Sequence, residues 1–223
     1  MPSRQSALQK YRSERVRAVY DRRRTDGPVW QRRFEEFLQL TERCIASLRL
    51  TTGDTVLDVG CGAGRSFAEL ENRVGATGRI IGIEQSPEQL AAAQALVERS
   101  GWSNVLLINT PVEDAEIPFV ADAALFSFTH DIMRTRSALQ NVIKHLKPGG
   151  RIAAIGVKWN PWWHLITNWR TWRGSKDFVT TFEGFNKPWS HLENLVSSLE
   201  VECTTVPTPL IGRAGLYRAA AEK

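Results

Sequence analysis

The sequence predicts an α/β protein with a doubly wound sheet, and two patterns carry that expectation. From residue 52 onward, short runs that are apolar along their whole length alternate with helical segments. The first of these runs leads into a glycine-rich turn, V-L-D-V-G-C-G-A-G-R at 56–65. Strands without polar alternation belong where helices cover both faces of a mostly parallel sheet.

Ahead of that pattern, Gln5 to Tyr20 and Val29 to Leu48 read as two helices separated by the breaker cluster Thr25-Asp26-Gly27-Pro28. In the second, Phe34, Phe37, Leu38, Cys44, Ile45 and Leu48 recur at helical spacing and make one buried face. The predicted strands are V-L-D-V at 56–59, R-I-I-G-I at 79–83, V-L-L-I at 105–108, A-D-A-A-L-F-S-F at 121–128 and R-I-A-A-I-G-V at 151–157. Between them, Ser86-Pro87-Glu88-Gln89 opens a helix: Ser caps, Pro suits the first turn and Gln completes a capping box. A further helix, Arg134 to Leu146, is stopped by Lys147-Pro148-Gly149-Gly150. After the fifth strand comes a long interruption at 158–186. His191 to Leu199 then reads as a helix, and V-E-C-T-T-V at 201–206 with G-L-Y-R-A-A-A at 215–221 as a closing strand pair. The 223 residues thus divide as one domain: cap helices at 1–50, a core at 51–157, a Trp-rich lid at 158–186 and a C-terminal helix and strand pair at 187–223.

Hydrophobic content of 42% and charged content of 24% match a globular chain and exclude a disordered or fibrous one. The net charge of +5 is uneven, since Arg4 to Arg33 holds ten Lys/Arg against Glu14, Asp21 and Asp26. Such a stretch suits nucleic acid, an anionic membrane surface, an acidic partner, or simply the solvated face of a helix. Cys44, Cys61 and Cys203 are odd in number and lack a C-x-x-C pair, so neither a disulfide framework nor a zinc site is expected. The first residues carry no apolar run of a signal peptide, and no stretch approaches the ~18 apolar residues of a membrane span. A cytoplasmic location is the expectation.

The chemistry begins at the glycine turn. Gly60, Gly62 and Gly64 permit backbone conformations and close ligand approach that side chains block. The turn follows the carboxyl end of a strand, where open α/β sheets bind ligands. A dinucleotide loop would run G-x-G-x-x-G; here the spacing is G-x-G-x-G and Arg65 stands where the third glycine would be. At the end of the second strand, twenty positions after Gly64, Glu84 can accept both hydroxyls of a ribose.

Taken in order, D-V-G-C-G-A-G, I-G-I-E-Q-S, V-E-D-A-E-I-P-F and L-K-P-G-G-R-I closely resemble the class I S-adenosylmethionine-dependent methyltransferases of the small-molecule type. The resemblance is strong over about 50–157 and looser over the C-terminal strand pair. It implies a Rossmann-like seven-stranded sheet with an antiparallel last strand, and S-adenosylmethionine as cofactor, leaving as S-adenosylhomocysteine. It further implies that Asp58, Gly60 and Gly62, with Cys61 and Gly64 in the same turn, hold the methionine end. Glu84, beside Gln85, would hold the ribose; the Val112 backbone and Glu113 or Asp114 the adenine; and Ser127 or Phe128 would lie beside the sulfonium. An N-terminal helix over the cofactor would bring Tyr11 or Tyr20 into contact. F-T-H-D-I-M at 128–133 puts His130 and Asp131 at the mouth of that cleft. His130 is the candidate base, needed only if the acceptor arrives protonated, and His164 is its rival. His191 reads as a helix-start residue and His145 as a surface one. No Asn-Pro-Pro-Tyr-like tetrapeptide follows the fourth strand and no carboxylate set for magnesium is seen. A metal-free displacement on an O or N atom of a small aromatic acceptor is therefore expected, by a monomer or homodimer. A nucleic-acid methyltransferase and a non-catalytic binding protein of the same fold are the alternatives.

Trp159, Trp162, Trp163, Trp169 and Trp172 fall within fourteen residues of a chain with eight tryptophans. On a helix, Trp162, Leu165, Ile166, Trp169 and Trp172 or Arg173 share one face, an amphipathic lid. Phe178, Phe182, Phe185 and Trp189 extend the apolar surface and favour a large or flat acceptor. Three uses compete: the rings pack the domain, they wall a pocket for a flat acceptor, with Tyr11 on the other side, or they sit at a bilayer interface and the acceptor is a lipid or quinone.

Overall fold

The computed structural model describes residues 40–176, 179–208 and 212–223. The expected helix Gln5–Tyr20, with Tyr11 and Tyr20, lies outside the described residues, as do the basic stretch Arg4–Arg33 and Phe178. Of the second expected helix, α1 is seen at 40–47, where it and the residue after it bury Cys44, Ile45 and Leu48.

The strands are β1 (Thr55–Val59), β2 (Arg79–Ile83), β3 (Val105–Ile108), β4 (Ala121–Ser127), β5 (Leu146–Lys158), β6 (Ser198–Thr208) and β7 (Gly212–Glu222). The helices are α2 (Phe67–Val74), α3 (Pro87–Ser100), α4 (His130–Met133), α5 (Arg136–Lys144) and α6 (Leu165–Ser175), with 3-10 turns at Val112–Asp114 and Pro188–His191. All seven strands form one sheet in the order β3-β2-β1-β4-β5-β7-β6, with β7 antiparallel to both its neighbours. This is the doubly wound, mostly parallel sheet expected. Strand order reverses between β1 and β4, and the crevice beyond their carboxyl ends is where such sheets take ligands.

The apolar runs explain the two cores. β1 sends Leu57 and Val59 to one face and Val56 to the other. One face is covered by Phe67, Leu70 and Val74 of α2, Ala93 and Val97 of α3 and the α1 residues. The opposite face is covered by Met133 of α4 and by Ala138, Leu139 and Val142 of α5. Helix α3 starts with the expected cap and proline, Ser86 Oγ accepting from Gln89 N at 3.3 Å and Pro87 following, and Gly101 ends it with φ +70°. Gln89 does not complete the capping box, because Ser86 N donates to Glu84 Oε1 instead. Cys44, Cys61 and Cys203 are unpaired.

Three expectations are corrected. The helix expected over about Arg134–Leu146 is α5 and shorter, Arg136–Lys144, because Leu146 already pairs with Ala121 as the first residue of β5. Lys147–Gly150 therefore bows out of a strand, with a register shift opposite Ala121/Ala123. His191–Leu199 is not a helix. The spacing of Leu192, Leu195, Val196 and Leu199 is met by turns laid over the core, and pairing with β7 claims the chain from Ser198. The closing strands are correspondingly longer than 201–206 and 215–221.

Candidate functional site

The glycine turn leaves β1 with Gly60 at φ +73° and Gly62 at φ +55°, backbone that bulky residues avoid. A side chain at Gly60 would meet Thr129 Cγ2 at 2.6 Å, so the turn is pressed against the residue that opens the β4–α4 connection. At Gly62 a Cβ would find nothing nearer than Gln89 Oε1 at 3.8 Å, and this side of the turn is open. Gly64 backs onto the Phe67 ring.

The amide donors of the turn are already engaged. Gly60 and Cys61 donate to the Ile83 carbonyl (2.8 and 3.1 Å) and Gly64 to the Cys61 carbonyl (3.0 Å). Gly62 donates to Glu84 Oε2 at 3.0 Å. A pyrophosphate site needs such donors free and no carboxylate beside them, so this turn suits a ligand without phosphate. Cys61 contributes only shape: its thiol is buried against Gly82, and burial pushes its pKa up.

Two carboxylates flank the opening. Glu84 also accepts from Ser86 N at 2.8 Å, leaving each oxygen a further lone pair. Burial raises its pKa, against the pull of the Ser86, Gly62 and Gln85 amides. Asp58, at the end of β1, is 1% exposed. Burial first, then the Glu84 charge, lifts it to about 7, with the Ser66 side chain opposing. Its Oδ2 has no hydrogen-bond partner among the described residues. A cationic donor is what this pair of acids lacks. Gln85 is exposed beside them.

Across the crevice, Phe128 has φ +58° while its N–H donates to the Ile155 carbonyl at 2.8 Å. A bulky residue held in the left-handed region marks stored strain of the kind found at ligand sites. Ser127 beside it is half-buried. Thr129 Oγ1 and both ring nitrogens of His130 are buried without partners. The His130 ring lies 4.6 Å from Phe185. Burial, then the Arg134 charge, lowers it to about 4, against the pull of the Thr181 backbone, which stands near the ring without completing a hydrogen bond. Asp58, Thr129 and His130 hold four of the six partnerless buried side-chain atoms found among the described residues. Native proteins pair the large majority of such atoms, so their concentration at the ends of β1 and β4 makes this crevice the candidate ligand site.

The other expected residues sit elsewhere. The Asp131 carboxylate accepts from Thr180 N (3.1 and 3.0 Å), which clamps the segment after α6. His164 is exposed ahead of α6, its ring 6.1 Å from Trp163. Val112 is buried and its carbonyl accepts from Asn141 Nδ2 at 2.7 Å. Glu113 and Asp114 are exposed and line a cleft of about 490 Å³ with Lys144 and His145. Trp159 stacks on Phe182 (5.3 Å, 24°) and leans on Phe185 (4.9 Å), extending the aromatic contact of His130 outward. A larger, open cleft of about 730 Å³ is lined by Lys158, Trp159, Asn160, Trp162, Asn168 and Trp169 among others. Trp162 and Trp169 are exposed there and Trp163 is exposed beside them in the chain, so the packing use does not account for these three. Thr129 escaped sequence reasoning, although its place between the strand end and His130 was a signal. Phe185 is expected only as added apolar surface, and its contact with His130 has no local signal.

Among the described residues, no three His, Cys, Asp or Glu side chains cluster as metal ligands, and no helix is long and apolar enough to cross a membrane. A family described as "Methyltransferase domain" matches residues 50–196. The 2-phytyl-1,4-beta-naphthoquinone methyltransferase of Arabidopsis thaliana is 35% identical over 111 residues, which is 46% of this chain and 41% of that protein. The O-methyltransferase resE of Aspergillus sclerotiorum is 36% identical over 121 residues, 52% of this chain and 44% of that protein. The chain spans less than half the length of these two relatives. The geranyl diphosphate C-methyltransferase of Streptomyces coelicolor A3(2) superposes with a TM-score of 0.63 at 18% identity, covering 82% of this chain and 75% of that one. At that identity the likeness is one of fold.

Proposed function

The chain belongs to the class I S-adenosylmethionine-dependent methyltransferases, and from that premise we propose that it methylates an O or N atom of a small, flat aromatic or heteroaromatic molecule. The observation that carries the cofactor half of this reading is the partnerless Asp58 Oδ2 beside Glu84 and the open side of Gly62. S-adenosylmethionine is phosphate-free and brings an ammonium group, which fits a turn whose amides are engaged and whose acids want a cationic donor.

In this reading Asp58 accepts from the ammonium end, with Gly60 and Gly62 giving the clearance. Glu84 takes the ribose hydroxyls on its remaining lone pairs. Ser127 and Phe128 line the reacting end. Bound there, S-adenosylmethionine supplies a methyl group on a sulfonium, already activated for displacement. The chain's own task is alignment and exclusion of water. His130, neutral at physiological pH, orients the acceptor by accepting a hydrogen bond from it. At about 4 it is too weak a base to ionise a phenol beforehand, so the acceptor proton passes to His130 with or after methyl transfer, when the methylated oxygen has become strongly acidic, and from there to solvent. Phe182 and Trp159, partly exposed and backed by the buried Phe185, offer the wall on which a flat ring would stack. The naphthoquinone and O-methyl relatives favour an oxygenated ring.

The test is calorimetric titration of S-adenosylmethionine into the protein and into a Gly62→Arg variant, whose side chain would occupy the open side of the turn. Micromolar binding that the variant loses supports the site and opens a screen of flat aromatic acceptors, read as the mass gain of one methyl. A folded wild type that binds no S-adenosylmethionine sinks the reading.

A further inference from the structure

Helix α6 is built inside out. The side it turns to the domain carries Thr167, Asn168, Thr171, Gly174 and Ser175, of which only Thr171 is fully buried. Asn168 ties the helix down, accepting from Asn160 N at 2.9 Å and donating to the Asn160 carbonyl at 3.2 Å. The opposite side presents Leu165, Ile166, Trp169 and Trp172, 42 to 70% exposed, and Trp162 in the preceding turn is 79% exposed. At 3.6 residues per turn these positions form one stripe. Six of the nine exposed large apolar side chains among the described residues lie in this one segment, which makes a contiguous patch instead of scatter, and such patches mark interaction sites.

The charge around the patch says what covers it. From residue 158 to 176 the chain has Lys158, Arg170, Arg173 and Lys176 and no Asp or Glu. Arg173 and Lys176 close the C-terminal end of the same stripe, with the Lys176 ammonium 5.3 Å from the Trp172 ring. Tryptophan interleaved with cations on an interfacial helix matches the headgroup layer of an anionic bilayer, where the rings lie at the apolar boundary and the cations meet phosphate. A second copy docked stripe to stripe would oppose two cationic faces. The chain's own Arg4–Arg33 stretch is cationic as well, so both are disfavoured by charge.

We propose that α6 seats this protein on an anionic lipid surface, with the Trp162–Trp172 stripe in the headgroup region and Arg170, Arg173 and Lys176 on the lipid phosphates. The eleven residues of α6 lie along the surface; a crossing needs about 20. This seating stands independently of the methyl-transfer reading.

The experiment is flotation of the full chain with vesicles of phosphatidylcholine alone and of phosphatidylcholine mixed with phosphatidylglycerol. The wild type floats with the mixed vesicles. Leu165→Glu with Ile166→Glu, both at exposed positions, lowers the partition by about tenfold or more while the melting temperature holds. Arg170→Gln, Arg173→Gln and Lys176→Gln together lower it by about a hundredfold and remove the preference for anionic lipid. Arg22→Gln, Arg23→Gln and Arg24→Gln serve as the comparison set. No flotation of the wild type overturns the proposal. So does flotation that survives the α6 variants and is lost with the Arg22–Arg24 set. Self-association in sedimentation that the α6 double variant dissolves overturns it in favour of a second copy.

Discussion

Helices α5 and α6 are of similar length, nine and eleven residues, yet they face opposite ways. α5 buries Ala138, Leu139 and Val142 against the sheet, and its one buried polar side chain, Asn141, donates to the Val112 and Ala115 carbonyls at 2.7 and 2.9 Å. α6 buries only Thr171, whose hydroxyl has no partner, and holds its leucine, isoleucine and tryptophans out to solvent. Each helix has an apolar stripe. In α5 that stripe stabilises the fold, whereas in α6 it is left available to something outside the chain. The same contrast holds for polar atoms: they are paired beneath α5 and left partnerless at the ends of β1 and β4.

The largest effect that this contrast predicts is at Leu139. Leu139→Ala leaves a cavity at a fully buried position and should cost about 3 kcal/mol, a fall of roughly 6 to 12 °C in melting temperature by calorimetry. A small change there would show that α5 is not the anchored member of the pair.

Next come the partnerless groups of the crevice, whose titrations oppose each other. Asp58 is raised from 3.8 to about 7, so the folded state holds its proton more tightly and stability is lost as pH rises through that window. His130 is lowered from 6.5 to about 4, so stability is lost as pH falls from 6.5 toward 4. In the wild type the two slopes largely cancel between about 4 and 6.5. Asp58→Asn should gain stability relative to wild type as pH rises from 5 to 8, by about 2 kcal/mol, while its affinity for S-adenosylmethionine falls about tenfold to a hundredfold. His130→Gln should gain relative to wild type as pH falls. Urea midpoints across pH read both, and parallel curves for all three proteins would refute the assignment.

Much of this was legible in the sequence because it is local. Uninterrupted apolar runs reveal a covered sheet, and a glycine turn followed by Glu84 at the next strand end reveals the ligand edge. The misreadings share a cause in distance along the chain. Leu192 to Leu199 has the same apolar spacing whether it coils or turns over a core, and only pairing with β7 decides. His130 could be placed at the crevice, but its depressed pKa depends on burial that includes Phe185, a contact fifty-five residues away that no local pattern announces. For α6 the stripe was visible and its direction was not. A helical period says that two sides differ, and tethering through Asn160, itself held to Thr205 by a bond spanning 45 residues, sets which side faces inward.

The smallest expected effects are the most discriminating, because they test that direction itself. Thr171→Val removes a buried hydroxyl that bonds to nothing and should stabilise by about 1 kcal/mol, where a threonine in an ordinary polar contact would lose stability. Leu165→Ala, at a position 70% exposed, should stay within about 0.5 kcal/mol of wild type, although the same substitution at Leu139 costs several times more. If Leu165→Ala instead destabilised like Leu139→Ala, the α6 stripe would be covered by the chain itself and no external surface would be needed. A near-neutral stability change joined to weaker flotation would separate the two roles of leucine in this protein: inside α5 it holds the fold, and outside α6 it holds the lipid.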